Sequence, residues 1–213
     1  MLLITQLFEV DNCQSILRDD FTNNKRKWEI TNKEAREAFI KDGSYWMENK
    51  SNAGWNYYKI KSPIKTTRNF IIDTKIELLN KNQHGHFGLV WGFDKNKEML
   101  NRFSLSADGE RVIIMQFEKN HRRVYHRFHL RILRKINLNQ AVRFTIIKID
   151  SFFYFLINES IVNISHESHF INGGPLIGYY LEPLLSIRSK YIEVKKIKAT
   201  EIKAVTGLNK LIN

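Results

Sequence analysis

Retaining hydrolysis of a glycosidic bond needs two carboxyl groups about 5–5.5 Å apart, so the spacing of acids is the first test of chemistry. Glu9 and Asp11 in "FEVDNCQ" have no third acid beside them, Asp108 and Glu110 in "DGE" fall in a turn, and "HESH" at 166–169 supplies Glu167 alone. His84 and His86 alternate after Gln83 in "QHGH", and His166 and His169 flank Glu167. Two histidine pairs without a third ligand predict no transition-metal site, and the absence of a dense Asp/Asn loop predicts no calcium. Nucleophilic catalysis finds no G-x-S-x-G. The one cysteine, Cys13, allows no internal disulfide and has no histidine near it in sequence. "NGGP" at 172–175 leads into a strand pattern and lacks the helix that a phosphate cradle needs. No cofactor is expected.

Two surfaces remain as binding candidates. "HRRVYHRFHLRILRK", residues 121–135, carries Arg122, Arg123, Tyr125 and Arg127 with three histidines and no acid. Guanidinium forks match phosphate, sulfate or carboxylate, and Tyr or His can stack on a ring. The same run also suits an edge strand whose charges block edge-to-edge pairing, or a patch against a partner domain. The chain holds 34 Lys+Arg against 22 Asp+Glu, net +12, a field that favours anionic partners but also one that biased composition produces. Trp46, Trp55, Tyr57, Tyr58 and Trp91 form the other candidate, since sugar faces stack on aromatic rings. Trp46 and Trp55 flank "MENKSNAG" and are the expected exposed contacts. With them, His86 and Arg102 complete the ligand-binding set predicted here.

Those side chains must be held by strands, because period-two alternation dominates. In "RNFIIDTKIELLN", Phe70, Ile72, Thr74, Ile76 and Leu78 share one face, opposite Ile71, Asp73, Lys75 and Glu77. In "HFGLVWGF", Phe87, Leu89, Trp91 and Phe93 point one way and His86, Gly88, Val90 and Gly92 the other, leaving a shallow face with room for a ligand. Hairpin turns are predicted at Asp108-Gly109, Asp150-Ser151 and Asn158-Glu159. Residues 33–40 read either as a short helix capped by Asn32 or as a strand entering Asp42-Gly43. Residues 127–137 are open between strand and helix, and Ile202, Val205, Leu208 and Leu211 have weak helical spacing. Apolar residues at 43% with only 10 Gly and 3 Pro allow one core and no low-complexity linker. The expectation is a single all-β domain over 1–213, its core at about 16–198 and a tail at 199–213. The N-terminal residues lack a basic leader and no apolar run reaches the ~20 residues of a membrane span; a cytoplasmic location is expected.

The order of these strands resembles that of concanavalin A-like jelly-roll domains. "ILRDDFTNNKRKWEI", "DGSYWMEN", "HFGLVWGF", "NRFSLSADGERVI", "FFYFLINESIV" and "GGPLIGYYLE" carry the resemblance over about residues 16–198, most specifically F-G-L-V-W-G and F-Y-x-x-[IL]-N. It implies an all-β jelly-roll β-sandwich of two antiparallel sheets, one concave, with at most short helices. Members of this fold bind or cleave glycans on the concave face, and others are bacterial accessory modules. Glycosidases of the fold share an E-x-D-x-E strand that is missing here, which predicts a non-catalytic module recognising a glycan or a protein partner through the concave face or rim loops. Two alternatives stay open. One is a cytoplasmic interaction module of a bacterial signalling or defence assembly, touching a polyanion such as nucleic acid through residues 121–135. The other is a polysaccharide lyase on an acidic glycan, using His84, His86, Tyr125 or His126 as base.

Overall fold

The computed structural model describes residues 13–64, 67–80, 84–94, 99–118, 124–170 and 174–197. In chain order its strands are β1 Gln14–Asp19, β2 Thr31–Lys33, β3 Arg36–Lys41, β4 Ser44–Asn49, β5 Asn56–Lys61, β6 Phe70–Leu78, β7 His86–Asp94, β8 Met99–Ser106, β9 Arg111–Glu118, β10 Val124–Arg131, β11 Val142–Ile149, β12 Phe152–Ile157, β13 Ser160–His166, β14 Leu176–Leu181 and β15 Ser186–Lys196. One sheet of nine strands runs β13-β12-β11-β6-β15-β4-β3-β2, with β1 also paired to β15, and a six-stranded sheet runs β10-β9-β8-β7-β14-β5. Every pairing is antiparallel. Among the described residues the helical content is one 3-10 turn, Glu167–His169, and no helix is long and apolar enough to cross a membrane.

The core lies between the sheets and follows the alternation. Phe70, Ile72 and Ile76 of β6 face inward with Phe87, Leu89 and Trp91 of β7 and Phe103 and Leu105 of β8. Rings interlock there: Trp91 lies 5.7 Å from Phe155 and 5.6 Å from Phe170, and Phe103 meets Phe144 edge-on at 5.4 Å. Each such buried side chain contributes about 1.5–3 kcal/mol of transfer free energy.

The predicted turns form where left-handed backbone is tolerated. Gly109 has φ 75° between β8 and β9, and a Cβ there would meet the Ile136 carbonyl oxygen at 2.5 Å, so both conformation and space require glycine. Asp150 has φ 50°, and Asn158 and Glu159 have φ 46° and 68°. The paired positive values suit a primed hairpin turn, whose twist matches the flanking strands. Residues 33–40 take the strand alternative. β2 and β3 pair with each other and β3 pairs with β4 through the Asp42-Gly43 turn, because neighbouring strands offer backbone partners that override local helix preference. The 127–137 segment opens within strand β10, which ends at Arg131. The expected helical spacing at 202–211 and the tail lie outside the described residues.

One face assignment reverses. Gly92 takes φ 68° and the β7–β8 register shifts between Trp91 and Asp94, a bulge that turns the chain by one residue. Phe93 therefore leaves the core side and packs with Val90, Leu100 and Phe117 on the outer face of the six-stranded sheet. The outer face of β6 is also drier than simple alternation suggests, with Ile71 and Asp73 both buried.

Candidate functional site

The outer face of the six-stranded sheet is built from rows of residues in register. One row runs Tyr57 (β5), Tyr180 (β14), Gly88 (β7), Ser104 (β8), Ile113 (β9) and His129 (β10). The next runs Lys59, Gly178, Val90, Arg102, Met115 and Arg127. On the other side His86 pairs with Ser106, and Arg111 pairs with Arg131. Glu182 follows β14 by one residue, and its backbone N–H donates to the His86 carbonyl at 3.0 Å.

Four side chains converge there. His86 Nδ1 lies 3.0 Å from Glu182 Oε2, Arg102 Nη1 lies 3.3 Å from Glu182 Oε1, and the Tyr180 hydroxyl donates to Oε1 at 2.9 Å. Arg102 also donates to the Tyr180 hydroxyl, and its guanidinium sits 4.2 Å from that ring's centroid. Gly88 makes this possible: it lies between Tyr180 and Ser104 in its row, and a Cβ there would meet the Phe103 carbonyl oxygen at 2.2 Å. Arg102 is 4% exposed and Tyr180 0%, while the His86 and Glu182 side chains keep 15% and 23%, so the cluster opens to solvent through the acid and the imidazole. Burial works against ionisation of Glu182, but the hydrogen bond and charge of His86, the charge of Arg102 and the Tyr180 hydroxyl outweigh it and hold its pKa at about 2. Burial, opposed by Arg102, lifts the Tyr180 phenol well above its usual range, so it stays protonated and can only donate to the carboxylate. Two buried donors remain without a protein partner: His86 Nε2 and Arg102 Nε.

The predicted ligand-binding residues divide between faces. His86, Arg102, Trp55, Tyr57 and Arg127 share the outer face of the six-stranded sheet. Trp55 lies 6.1 Å from Phe117 and 6.5 Å from Tyr180, and Lys59 sits 4.6 Å from the Tyr57 ring. Trp46 instead stacks on Phe39 at 5.9 Å and beneath Arg188 at 4.8 Å, on the outer face of the other sheet. Arg122 and Arg123 lie outside the described residues, as does the Tyr125 side chain. The β9–β10 register shifts between Val124 and His126. Trp91 and Tyr58 are core. His84 is exposed before β7, and His169 lies 5.0 Å from His126 and 5.4 Å from Phe128. Among the described residues no group of three or more His, Cys, Asp or Glu could hold a metal ion. Glu182, Tyr180 and His129 were missed. The signal was present, since alternation through "GYYLE" sets Gly178, Tyr180 and Glu182 on one face.

No family model matches the chain, and no curated protein matches it in sequence. Solved structures match in fold. The catalytic domain of an endo-1,3-β-glucanase (laminarinase) from Thermotoga petrophila superposes with a TM-score of 0.62 at 10% identity, covering 88% of this chain and 99% of that one. The chain has the concanavalin A-like jelly-roll fold. A Bacillus licheniformis β-glucanase aligns over 85% of this chain and 98% of its own at TM-score 0.62 and 8% identity. A Bacillus subtilis protein of unknown function with a galectin-like fold gives 0.61 at 10%, covering 87% and 98%. Glycan-cleaving catalytic domains predominate among these jelly-roll neighbours. That corrects the expectation of a non-catalytic binding module, and its two alternatives fall with it. The expectation rested on a missing run of acids along one strand, whereas here a single ionised carboxylate arrives from beyond the end of β14 and is completed by β7 and β8.

Proposed function

We propose that the chain is a glycan-hydrolysing enzyme whose reacting centre is the His86–Glu182–Arg102–Tyr180 cluster. The observation that carries this reading is the Glu182 carboxylate, held ionised between an imidazole, a guanidinium and a phenol on the sheet's outer face. The predominance of endo-glucanases among the jelly-roll neighbours supports the substrate class.

The chemistry follows from the roles left open to each group. Glu182 stays deprotonated at any working pH well above 2, so it faces the positive charge that develops at an anomeric carbon and does not act as the acid. His86 donates its Nδ1–H to that carboxylate, and acts as the acid in its imidazolium form, with the second proton on Nε2. Nε2 is buried on the unliganded face, so the substrate must displace the side chains over it; as the glycosidic C–O bond breaks, the Nε2 proton then passes to the leaving oxygen. Water then adds to the anomeric carbon and returns one proton to His86. Arg102 and Tyr180 position Glu182. Trp55 and Tyr57, along the same face, offer rings for sugar stacking.

The test is release of reducing ends from neutral β-glucans and from uronate- or sulfate-bearing glycans, by the wild-type chain and by Glu182→Gln. Release from at least one glycan, lost in the variant, is expected. A folded wild-type chain that releases nothing from any of them overturns the reading.

A further inference from the structure

The two halves of the same face differ in chemistry. On the β5–β14 side stand Trp55, Tyr57 and Tyr180. On the β8–β10 side stand Arg102, Arg111, Arg127 and Arg131, all four in the pairings described above. Arg111 and Arg131 are directly opposed across the β9–β10 pair, an arrangement of like charges that destabilises a sheet. Arg102 and Arg127 share a row with only Met115 between them, roughly 10 Å apart at two strand spacings, within reach of two long side chains. Among the described residues, the carboxylates paired with these four guanidinium groups are Asp108, 3.0 Å from Arg111, and Glu182, 3.3 Å from Arg102. Arg127, Arg131 and His129 are exposed. The local field is positive: the His129 pKa is lowered first by burial and then by the charges of Arg127, His86, Arg102 and Arg111.

We infer that the β8–β10 half of the face is a subsite for an anionic substituent of the glycan, a carboxylate or a sulfate ester, held by the exposed Arg127 and Arg131, with the buried Arg102 adding positive charge from beneath. This rests on the glycan reading above. It places a sugar ring on the Trp55 and Tyr57 side with its acidic group over the arginines, where guanidinium forks pair with two oxygens at once. An opposed arginine pair is then a feature of the unliganded face that the ligand neutralises.

The experiment is calorimetric titration of the full chain with three tetrasaccharides of equal length: a galacturonic acid oligomer, a sulfated galactan oligomer and neutral laminaritetraose. At low salt at least one acidic oligomer is expected to bind at least about tenfold more tightly than the neutral one, with the preference shrinking as salt rises. The two acidic arms decide between carboxylate and sulfate. Arg127→Gln, at an exposed position, is expected to weaken the preferred acidic oligomer about fivefold or more and leave the neutral one unchanged, and Arg131→Gln to do the same more weakly. Equal affinity for all three, or an acidic preference untouched in both variants, overturns the subsite. Reducing-end release is read on the same samples. Acidic binding without cleavage would remove the hydrolase reading and keep the subsite, whereas cleavage of the neutral oligomer with no acidic preference would do the reverse.

Discussion

Among the described residues, each sheet carries a carboxylate–arginine cluster on its outer face. On the nine-stranded sheet Asp73 accepts from Arg143 Nε at 2.8 Å and Nη2 at 3.2 Å, from Thr145 Oγ1 at 2.7 Å and from the Tyr191 hydroxyl at 2.7 Å. Arg143 turns its remaining nitrogen to Glu159 at 2.7 Å. On the six-stranded sheet Glu182 accepts from three groups, but two of those groups, His86 and Arg102, each keep a buried nitrogen unpaired. A saturated cluster has nothing left to offer and holds strands β6, β11 and β15 together. An unsaturated one carries a standing cost that water or a ligand must offset. That difference, more than the presence of charge, separates a structural network from a site.

The largest expected effect sharpens the contrast directly. Glu182→Gln keeps the shape of the side chain and removes its charge, so glycan hydrolysis should fall by at least about a hundredfold while circular dichroism stays unchanged. Asp73→Ala should do the opposite. Arg143 is half-exposed and keeps Glu159, so the loss falls on the Thr145 and Tyr191 hydroxyls that lose their acceptor; it should cost about 1–3 kcal/mol, read from the denaturant midpoint, with turnover per folded molecule unaltered. If Asp73→Ala abolished turnover in molecules that remain folded, the division of labour would be wrong.

Acid distinguishes the clusters next. The Glu182 pKa is depressed from 4.5 to about 2, so its ionised form stabilises the fold at any pH above about 4.5. That contribution is lost as pH falls through about 2. The stability gap between wild type and Glu182→Gln should therefore be full near neutrality and close between those two values. A gap independent of pH would mean that the glutamine variant fails for reasons of packing and not of charge.

How much of this could be read beforehand depends on the range of the interaction. Two-residue alternation identified β6 through β9 and the hairpin turns, because strand faces and turn conformations are local properties of a few residues. It placed His86 and Gly88 on the outer face correctly and misplaced Phe93, since one glycine at positive φ reverses everything after it. Glu182 reads in sequence as a rim residue beside Pro183. Its partners are 96 and 80 positions away, and only the pairing of β14 with β7, and of β7 with β8, brings them together. The search for acids clustered along one strand could not find a carboxylate whose partners are not acids.

Gly88 tests whether the six-stranded face tolerates any change of backbone spacing. Its Cβ would meet the Phe103 carbonyl oxygen at 2.2 Å and Ser104 Cα at 2.7 Å. Both are backbone atoms of the strand that carries Arg102, and neither can swing aside. Gly88→Ala should cost about 1–3 kcal/mol and also raise KM, because β7 and β8 must separate beneath the cluster. An exposed substitution on the other sheet, Lys75→Ala, should stay within about 0.5 kcal/mol.

The smallest effects concern the two tryptophans flanking the same loop. Trp46 stacks between Phe39 and Arg188 on the nine-stranded sheet, and Trp55 packs near Phe117 and Tyr180 on the six-stranded one. They flank one loop and are both half-buried. Only Trp55 shares a face with Glu182. Trp55→Ala should raise KM several-fold with little change in kcat, the signature of lost binding that is equal in ground and transition states. Trp46→Ala should leave both constants alone and lower stability by about 1 kcal/mol through the lost stack and cation–π contact. Equal kinetic effects from the two would mean that the glycan wraps past the sheet edge, and the contrast between the faces would then concern the reacting centre alone.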